Sequence, residues 1–373
     1  MEADALIVGA GPAGATVALN LAPFRRVVLI DRRKSPMPRI GESLPGAARR
    51  LLADMGLWEG FLADGHAPCH LHRSLWGGPK LVEKDALRDP DGCGWHLDRA
   101  RFETRLRATA IARGARLLSP ARPAGVEREG NGWRIKLETS EGLVAIKARL
   151  LIDAGGRNSR LLNPFGARRR PDSRLVCAWI AGAKAGLLPG LTHIDAEEEG
   201  WWYAAPLPGS GGVLAFHTDA DLPAAPATRS AKDLLARAQR LRLLGELAAP
   251  ERWTGSRAEF CAASGSYLEP AAGQGWMAVG DAAQSYDPLA SQGLFNALYT
   301  GLAAAEVADR ALSGDATALP GYVAELRHIR AAYEHHLVAW YGLERRWLQS
   351  LFWQRRHSAA KVGEVSTPSH SIS

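Results

Sequence analysis

Ala5-Leu6-Ile7-Val8-Gly9-Ala10-Gly11-Pro12-Ala13-Gly14-Ala15 is a short apolar run leading straight into Gly-x-Gly-x-x-Gly. The run predicts a buried strand, and the small residues from Ala13 to Leu21 predict a helix. Each glycine has its own physical reason at a dinucleotide site. Gly9 permits the tight turn, Gly11 lets the backbone approach a pyrophosphate, and Gly14 lets the helix lie close to the sheet. The pyrophosphate then rests on the open amides where the helix begins, around Pro12 and Ala13. A second apolar strand, Val27-Val28-Leu29-Ile30, ends in Asp31, whose carboxylate is placed to accept hydrogen bonds from a ribose diol. The same words can also spell an ordinary strand-turn-helix with no ligand. Four parts in the correct order favour the dinucleotide site.

Bulk composition narrows the class. At 373 residues the chain suggests two lobes, and 46% hydrophobic with 23% charged residues is ordinary for a soluble globular enzyme. No run of apolar residues is long enough for a membrane span. The N-terminus enters its first strand at once, leaving no room for a signal peptide, so a cytoplasmic location is expected. Cys69, Cys93, Cys177 and Cys261 have neither metal-site nor disulfide-framework spacing and read as reduced thiols. His66, His70 and His72 lie close together but lack a fourth ligand at sensible spacing, so no metal is expected. The net charge of 46 − 39 = +7 suits anionic cofactors, and its even spread argues against nucleic-acid binding.

Outward from the opening motif, Pro45 to Met55 reads as a helix stopped by Gly56, and Leu97 to Arg113 as another. Period-2 alternation in Val126–Arg128, Trp133–Glu138 and Leu143–Ala148 predicts a three-stranded meander that feeds a separate strand, Leu150–Asp153. Scattered strands follow, with one helix from Ala231 to Leu243. Trp276–Asp281 reads as a buried strand, Gln292–Leu312 as a long helix, and Tyr322–His357 as a basic, aromatic helical stretch. The implied fold is α/β plus β. A Rossmann-like nucleotide lobe is built from 1–58, 96–164 and 271–315; a mostly β substrate lobe from an insertion at 59–95 and from 165–270; and 316–373 is a C-terminal helical segment.

Two further stretches match the first. Leu151-Ile152-Asp153-Ala154-Gly155-Gly156-Arg157-Asn158-Ser159-Arg160 is a strand ending in a glycine turn. Gly280-Asp281-Ala282-Ala283-Gln284-Ser285-Tyr286-Asp287-Pro288-Leu289-Ala290-Ser291-Gln292-Gly293 is an acidic turn followed by a Pro-to-Gly loop that opens a helix. With these three motifs in order, the chain resembles the superfamily of FAD-dependent class A hydroxylases, halogenases and geranylgeranyl reductases, with its aromatic-hydroxylase fold. The resemblance implies FAD as cofactor, held by Gly9, Gly11, Pro12, Ala13, Gly14, Asp31, Arg39, Ser43, Arg99, Gly280, Asp281, Pro288, Gln292 and Gly293. Arg99 would meet the pyrophosphate or ribityl chain, Asp281 the ribityl or ribose hydroxyls, and the Pro288–Gly293 loop the pyrimidine edge of the isoalloxazine. It also implies NAD(P)H or an external flavin reductant as electron donor, and molecular oxygen. The family's Asp-Gly pair here reads Asp153-Ala154-Gly155.

Arg39-Ile40-Gly41-Glu42-Ser43-Leu44-Pro45, Gly200–Pro208 and the Tyr286–Gly293 loop are similar to one subgroup, the LodB/GoxB/QhpG-type flavoproteins of quinone-cofactor maturation. That similarity implies oxygenation of a peptidyl tryptophan in a partner oxidase precursor, on the way to cysteine tryptophylquinone. The alternatives are an FAD-dependent hydroxylase, halogenase or reductase acting on a small molecule, and a flavin-bound maturation chaperone. The halogenase pattern Trp-x-Trp-x-Ile-Pro is replaced by Trp201-Trp202-Tyr203-Ala204-Ala205-Pro206, and Lys80 and Lys84 read as solvated. Glu42 and Ser43 are candidates for orienting substrate or moving a proton, although Glu42 equally suits a charge before the helix near Pro45. Trp201, Tyr203 and Tyr286 are candidate pocket walls. The C-terminal arginines, among them Arg345, Arg346, Arg355 and Arg356, fit a packed helix, a docking face for a protein substrate or, third, an interfacial membrane helix.

Overall fold

A computed structural model describes residues 1–183 and 185–364, and divides the chain into two compact units. The first comprises Met1–His66, Leu97–Asp172 and Gly265–Ile329, and the second Ala67–His96, Ser173–Ser264 and the chain from Arg330. Each crossing differs from the sequence reading for a visible reason. Phe61 packs on His66 and Phe102 with ring centroids 4.7 and 6.0 Å away, which holds the 58–66 segment in the first unit. The strand Arg168–Pro171 pairs with Ser266–Glu269, which keeps 168–172 and 265–270 there too. Tyr322 donates its hydroxyl to Ala278 O at 3.0 Å, so the next helix starts in the first unit before continuing into the second.

The first unit is built on a sheet whose centre is parallel. Glu2–Val8 lies between Val27–Ile30 and Gly142–Asp153, and these are flanked by Arg116–Leu118 and Trp276–Ala278. Its central residues, Leu6, Ile7, Leu29 and Ile152 among them, are wholly buried, as a parallel sheet covered on both faces requires. The meander forms as Ala121–Glu129, Gly132–Thr139 and Gly142–Asp153. Its third strand and the expected Leu150–Asp153 strand are one element of 12 residues. No turn residue interrupts it: Trp133 pairs with Ala148 on one side while Leu150 already pairs with Ala5 on the other.

The second unit has a seven-stranded sheet. Its order is Glu259–Ala262, Leu175–Gly182, Gly212–Asp219, Gly200–Pro206, Leu191–Glu197, Leu71–Leu75, Val82–Asp85. One face buries Ile180, Trp202, Leu214 and Phe216 under the Ala231–Ala238 helix and Trp253. That helix is shorter than expected because the chain tightens to i→i+3 bonding at Arg240 and Leu241. On the opposite face Trp201 stacks on His217 at 3.8 Å, beside Trp76 and Tyr341.

The C-terminal stretch is two helices, Ala318–Leu343 and Leu351–Glu364, separated where Glu344 turns inward. The Glu344 carboxylate accepts the Gly77 and Arg346 amides at 2.9 Å each. Arg346 pairs with Glu344, Arg355 with Asp219 and Asp221, and Arg356 with Asp219. Arg346, Arg355 and Arg356 therefore anchor the packed helices through these ion pairs, while Arg345 is exposed. Among the described residues, no helix is long and apolar enough to cross a membrane.

Candidate functional site

The site is assembled in the first unit from three separate pieces of chain. Gly9 follows the first strand at φ +108, and a Cβ there would sit 2.3 Å from Ala154 O. A Cβ on Gly14 would lie 1.9 Å from Gly9 O. The protein's own backbone therefore demands both glycines. Gly11 is different. The nearest atom to a Cβ on it would be the Arg39 guanidinium at 3.7 Å, an ordinary contact. Nothing else lies within 4 Å of that position, so the space before the helix end is open, as a pyrophosphate cradle requires. Gly11 is the N-cap of the Pro12–Leu21 helix and offers no capping side chain, Pro12 carries no N–H, and the first helical bond is Ala15 N–H to Gly11 O at 2.9 Å. The Ala13 and Gly14 amides are thus left without a partner inside the helix, the arrangement that suits an anion.

Asp31 leaves the second strand with its carboxylate already engaged. Oδ2 accepts from the Ala10 amide and from Arg107 Nη2, both at 2.9 Å, and Oδ1 accepts from the Arg33 amide at 2.8 Å. Arg107 Nε also donates to Ala10 O at 2.8 Å, so one guanidinium locks Asp31 to the glycine loop. The second lone pair on Oδ1 is the position from which a ribose hydroxyl can be accepted.

Arg107 is a site residue that the sequence reading missed. It belongs to a buried charged face of the Arg99–Ala112 helix, where Arg99, Glu103 and Arg107 are 9%, 4% and 6% exposed. Their i, i+4, i+8 spacing was the available signal. Glu103 Oε1 accepts from Arg39 at 2.5 Å and from Arg99 at 2.7 Å, so two guanidinium groups share one carboxylate beside the cradle. Arg99 also donates to Gly41 O, and its buried Nε finds no partner. Burial, then the neighbouring Arg39 charge, pull the Arg99 guanidinium below its ordinary pKa against the opposing pull of Glu103. A diphosphate is the ligand such an excess of positive charge fits.

Glu42 is buried, with Oε2 accepting the Gly41 amide at 3.0 Å and its carbonyl accepting the Leu97 amide at 2.9 Å. The following helix starts only at Ala48, too far on for Glu42 to act on its dipole. Ser43 is half-buried at the start of the two-residue strand Ser43–Leu44.

The third piece of chain enters through Gly280, at φ +58, where a Cβ would lie 2.5 Å from that of Ala13. Gly301 makes the same demand one turn further along, 2.8 Å from Thr16 Cβ, so the Gly293–Leu312 helix lies directly on the first helix. Asp281 keeps its side chain 34% exposed, with Arg157 Nε 3.5 Å from Oδ2. Asp153, by contrast, is spent internally. It accepts from the Gly155 amide at 2.9 Å and the Ser159 hydroxyl at 2.7 Å, and burial raises its pKa. Its turn presents Arg157 instead. Beyond Asp281, Asp287 caps the short turn Pro288–Ala290, Ser291 takes φ +50, and Gln292 leaves the long helix without a side-chain cap. Gly293 has nothing within 4 Å of where its Cβ would be. The arrangement offers two uncapped helix N-termini, two arginines on one carboxylate and two acidic residues for hydroxyls, a donor set that fits FAD.

The three pocket-wall candidates are placed differently. Trp201 is 1% exposed, enclosed between His217 and Tyr341 in the second unit, where it packs rather than lines. Tyr203 is half-buried on the same sheet face, in register with Ala215 and Trp179. Tyr286 belongs to the first unit and is buried. Of the histidines, His66 accepts the Asp98 amide at 3.2 Å in the first unit, whereas His70 and His72 belong to the second.

Comparison with known proteins is consistent along the whole chain. The tryptophan halogenase family model matches residues 79–367. LodB of Marinomonas mediterranea, described as an FAD-dependent oxidoreductase, is 27% identical over 370 residues, covering 97% of this chain and 99% of that protein. Among solved structures, the myxobacterial chondrochloren halogenase CndH superposes with a TM-score of 0.83 at 24% identity, over 98% of this chain and 89% of that one. The peptidyl tryptophan dihydroxylase QhpG, essential for tryptophylquinone cofactor biogenesis, superposes with a TM-score of 0.79 at 24% identity, over 95% and 79%.

Proposed function

Because the chain belongs to the tryptophan halogenase family and is an FAD-dependent oxidoreductase of that superfamily, we propose that it is a monooxygenase hydroxylating an aromatic group. The proposed target is a tryptophan side chain of a partner amino-acid oxidase precursor, on the way to cysteine tryptophylquinone. Similarity to LodB over nearly both full lengths supports the subgroup. The observation that carries hydroxylation over halogenation is the strand Gly200–Pro206. Both of its tryptophans are turned into packed faces, Trp202 against Phe216 and Trp201 against His217, and Tyr203 stands where the halogenase pattern has its second tryptophan. Lys80 and Lys84, the lysines considered for a halogenase role, are exposed.

When bound, FAD supplies the redox chemistry, taking electrons from NAD(P)H or another flavin reductant and activating molecular oxygen. The chain's own residues hold and tune it. The Ala13 and Gly14 amides with Arg39 and Arg99 take the pyrophosphate, Asp31 a ribose hydroxyl, and Asp281 a ribityl hydroxyl. The amides at Gln292 and Gly293 direct the positive end of the long helix toward the pyrimidine edge, where negative charge collects on reduction. Glu42, with Ser43 beside it, is assigned to orienting the substrate or exchanging a proton.

The test uses the flavin-loaded protein, reduced anaerobically and mixed with isotopically labelled oxygen, bromide, a purified oxidase precursor and, in parallel, free tryptophan. Label appearing on a tryptophan of the precursor supports the reading. Label only on a small aromatic compound moves the substrate class. Bromide incorporated in place of oxygen makes the protein a halogenase. Tight flavin retention without any turnover leaves the maturation-chaperone reading.

A further inference from the structure

Cys177 and Cys261 face each other across the two outermost strands of the seven-stranded sheet. Leu175–Gly182 pairs antiparallel with the edge strand Glu259–Ala262, and the register sets Cys177 opposite Cys261. Ala263 N–H donates to Leu175 O at 2.9 Å, so by the two-residue alternation 177 and 261 are also a hydrogen-bonded pair. Such pairs hold their Cα atoms about 5.5 Å apart with both side chains on one face. That Cα separation lies within the range a disulfide spans, and the Cβ atoms, about 5.5 Å apart in such a pair, must close by about an ångström as the bond forms, a shift asked of an edge strand held on one side only. Ala178, the next residue, points into the hydrophobic core, so both thiols lie on the opposite face, in the row that continues through His217 to Trp201. Neither cysteine is in a disulfide; Cys177 is buried and Cys261 partly exposed.

We infer that Cys177 and Cys261 are a redox modification site at which hydrogen peroxide joins the two sulfurs. The Cys261 thiolate, the accessible partner, attacks the peroxide O–O bond, becoming a sulfenic acid as the first water leaves. The Cys177 thiol then attacks that sulfur, the S–S bond forms, and the sulfenic oxygen leaves as the second water. Two thiols are oxidised and one peroxide is reduced to two waters. The bond fastens the edge strand to its neighbour, and a thiol reductant reverses it. The other two cysteines provide an internal contrast. Cys69 lies opposite Gly94 rather than a thiol, its sulfur is 3.3 Å from Thr192 Oγ1, and burial pushes its pKa up.

The experiment exposes reduced, folded full-length protein to hydrogen peroxide, removes the peroxide, and then unfolds the protein in excess iodoacetamide so that buried thiols are blocked as well. A digest without reductant is then read by mass spectrometry. The expected result is one linked peptide pair carrying Cys177 and Cys261, lost on treatment with dithiothreitol, while Cys69 and Cys93 are alkylated. Cys261→Ser abolishes the link. Cys177→Ser leaves Cys261 advancing to sulfinic acid, a readout that does not depend on the first variant folding. The inference is overturned if both thiols still alkylate fully after excess peroxide, if the link forms only in denatured protein, or if Cys261 joins another cysteine. The outcome is independent of which substrate the flavin site serves.

Discussion

The guanidinium of Arg107 lies 2.9 Å from the carboxylate of Asp31, and both side chains are nearly out of solvent. The same guanidinium holds the glycine loop through Ala10 O, so the residue assigned to the ribose and the loop assigned to the pyrophosphate are set by one side chain. Arg107→Ala is expected to destabilise the flavin-free protein by about 3 kcal/mol, as breaking one side of a buried pair does. It should also weaken FAD binding about tenfold or more. Arg107→Lys keeps the charge but cannot span both acceptors, and should recover stability better than affinity. Urea unfolding and flavin fluorescence titration separate the two effects. Unchanged values in both would remove Arg107 from the site.

The three glycines of the opening motif divide by cause. Gly11→Ala is expected to leave the unfolding midpoint of the flavin-free protein nearly unchanged and to weaken FAD binding by roughly a hundredfold, about 2.7 kcal/mol. Gly14→Ala would press a methyl group against Gly9 O and should cost about 3 kcal/mol of stability before any ligand is considered. A thermal melt of both variants with and without FAD decides. Equal destabilisation by the two would count against a ligand at Gly11.

Glu103→Gln would leave Arg39 and Arg99 side by side without their shared carboxylate. The flavin-free variant should be less stable by about 3 kcal/mol. Added inorganic pyrophosphate should restore more of its melting temperature than it adds to the wild type. A restoration no larger than that of the wild type would argue that the two arginines do not meet a diphosphate.

Stability should fall on acidification between pH 6.5 and about 4. Burial pushes the His96 and His193 pKa values down to about 4 and that of His217 to about 3. In this window the unfolded chain therefore binds protons at three imidazoles that the folded chain refuses. Asp195 opposes them. Burial raises its pKa to about 6, so the folded chain takes up that proton before the unfolded one does. Among these four groups about two net protons remain, each worth about 1.4 kcal/mol per pH unit; burial also lowers His66 and His72, which adds to the loss, and raises Asp153 and Glu197, which opposes it. Asp195→Asn removes the opposing group and should steepen the loss. Denaturant unfolding at stepped pH measures both slopes, and a flatter profile in the variant would contradict the assignment.

Asp219 accepts from both Arg355 and Arg356 and is itself buried. Asp219→Ala should destabilise the protein by about 3–5 kcal/mol and open the C-terminal helix to proteolysis. Arg345→Glu, on an exposed side chain, should be neutral in the same assay.

What could be read from the sequence was local. The strand, turn and helix around Gly9–Gly14 announce themselves because each glycine answers to a neighbour a few residues away or to a ligand. The long helix from Gly293 is legible for the same reason, from its loop and its alanine-rich run. The buried ladder of Arg99, Glu103 and Arg107 was not, because charges on a helix ordinarily face water and their partners, Asp31, Arg39 and Ala10, come from a distant part of the chain. The C-terminal arginines left three readings open for a similar reason. Only the fold reveals that Asp219, on a distant strand, meets Arg355 and Arg356.

The three pieces that make the flavin site have a consequence for the order of events during synthesis. The glycine loop is made first, the arginine ladder after an excursion, and the Gly293–Leu312 helix only after a second, longer one. A nascent chain released from the ribosome up to residue 280 therefore exposes one helix end and a surplus of arginines, but nothing to grip the far end of the cofactor. With FAD held as proposed, a full grip on it waits until the Gly293–Leu312 helix has been made. The cofactor then acts as the fastener for stretches of chain that translation separates widely in time.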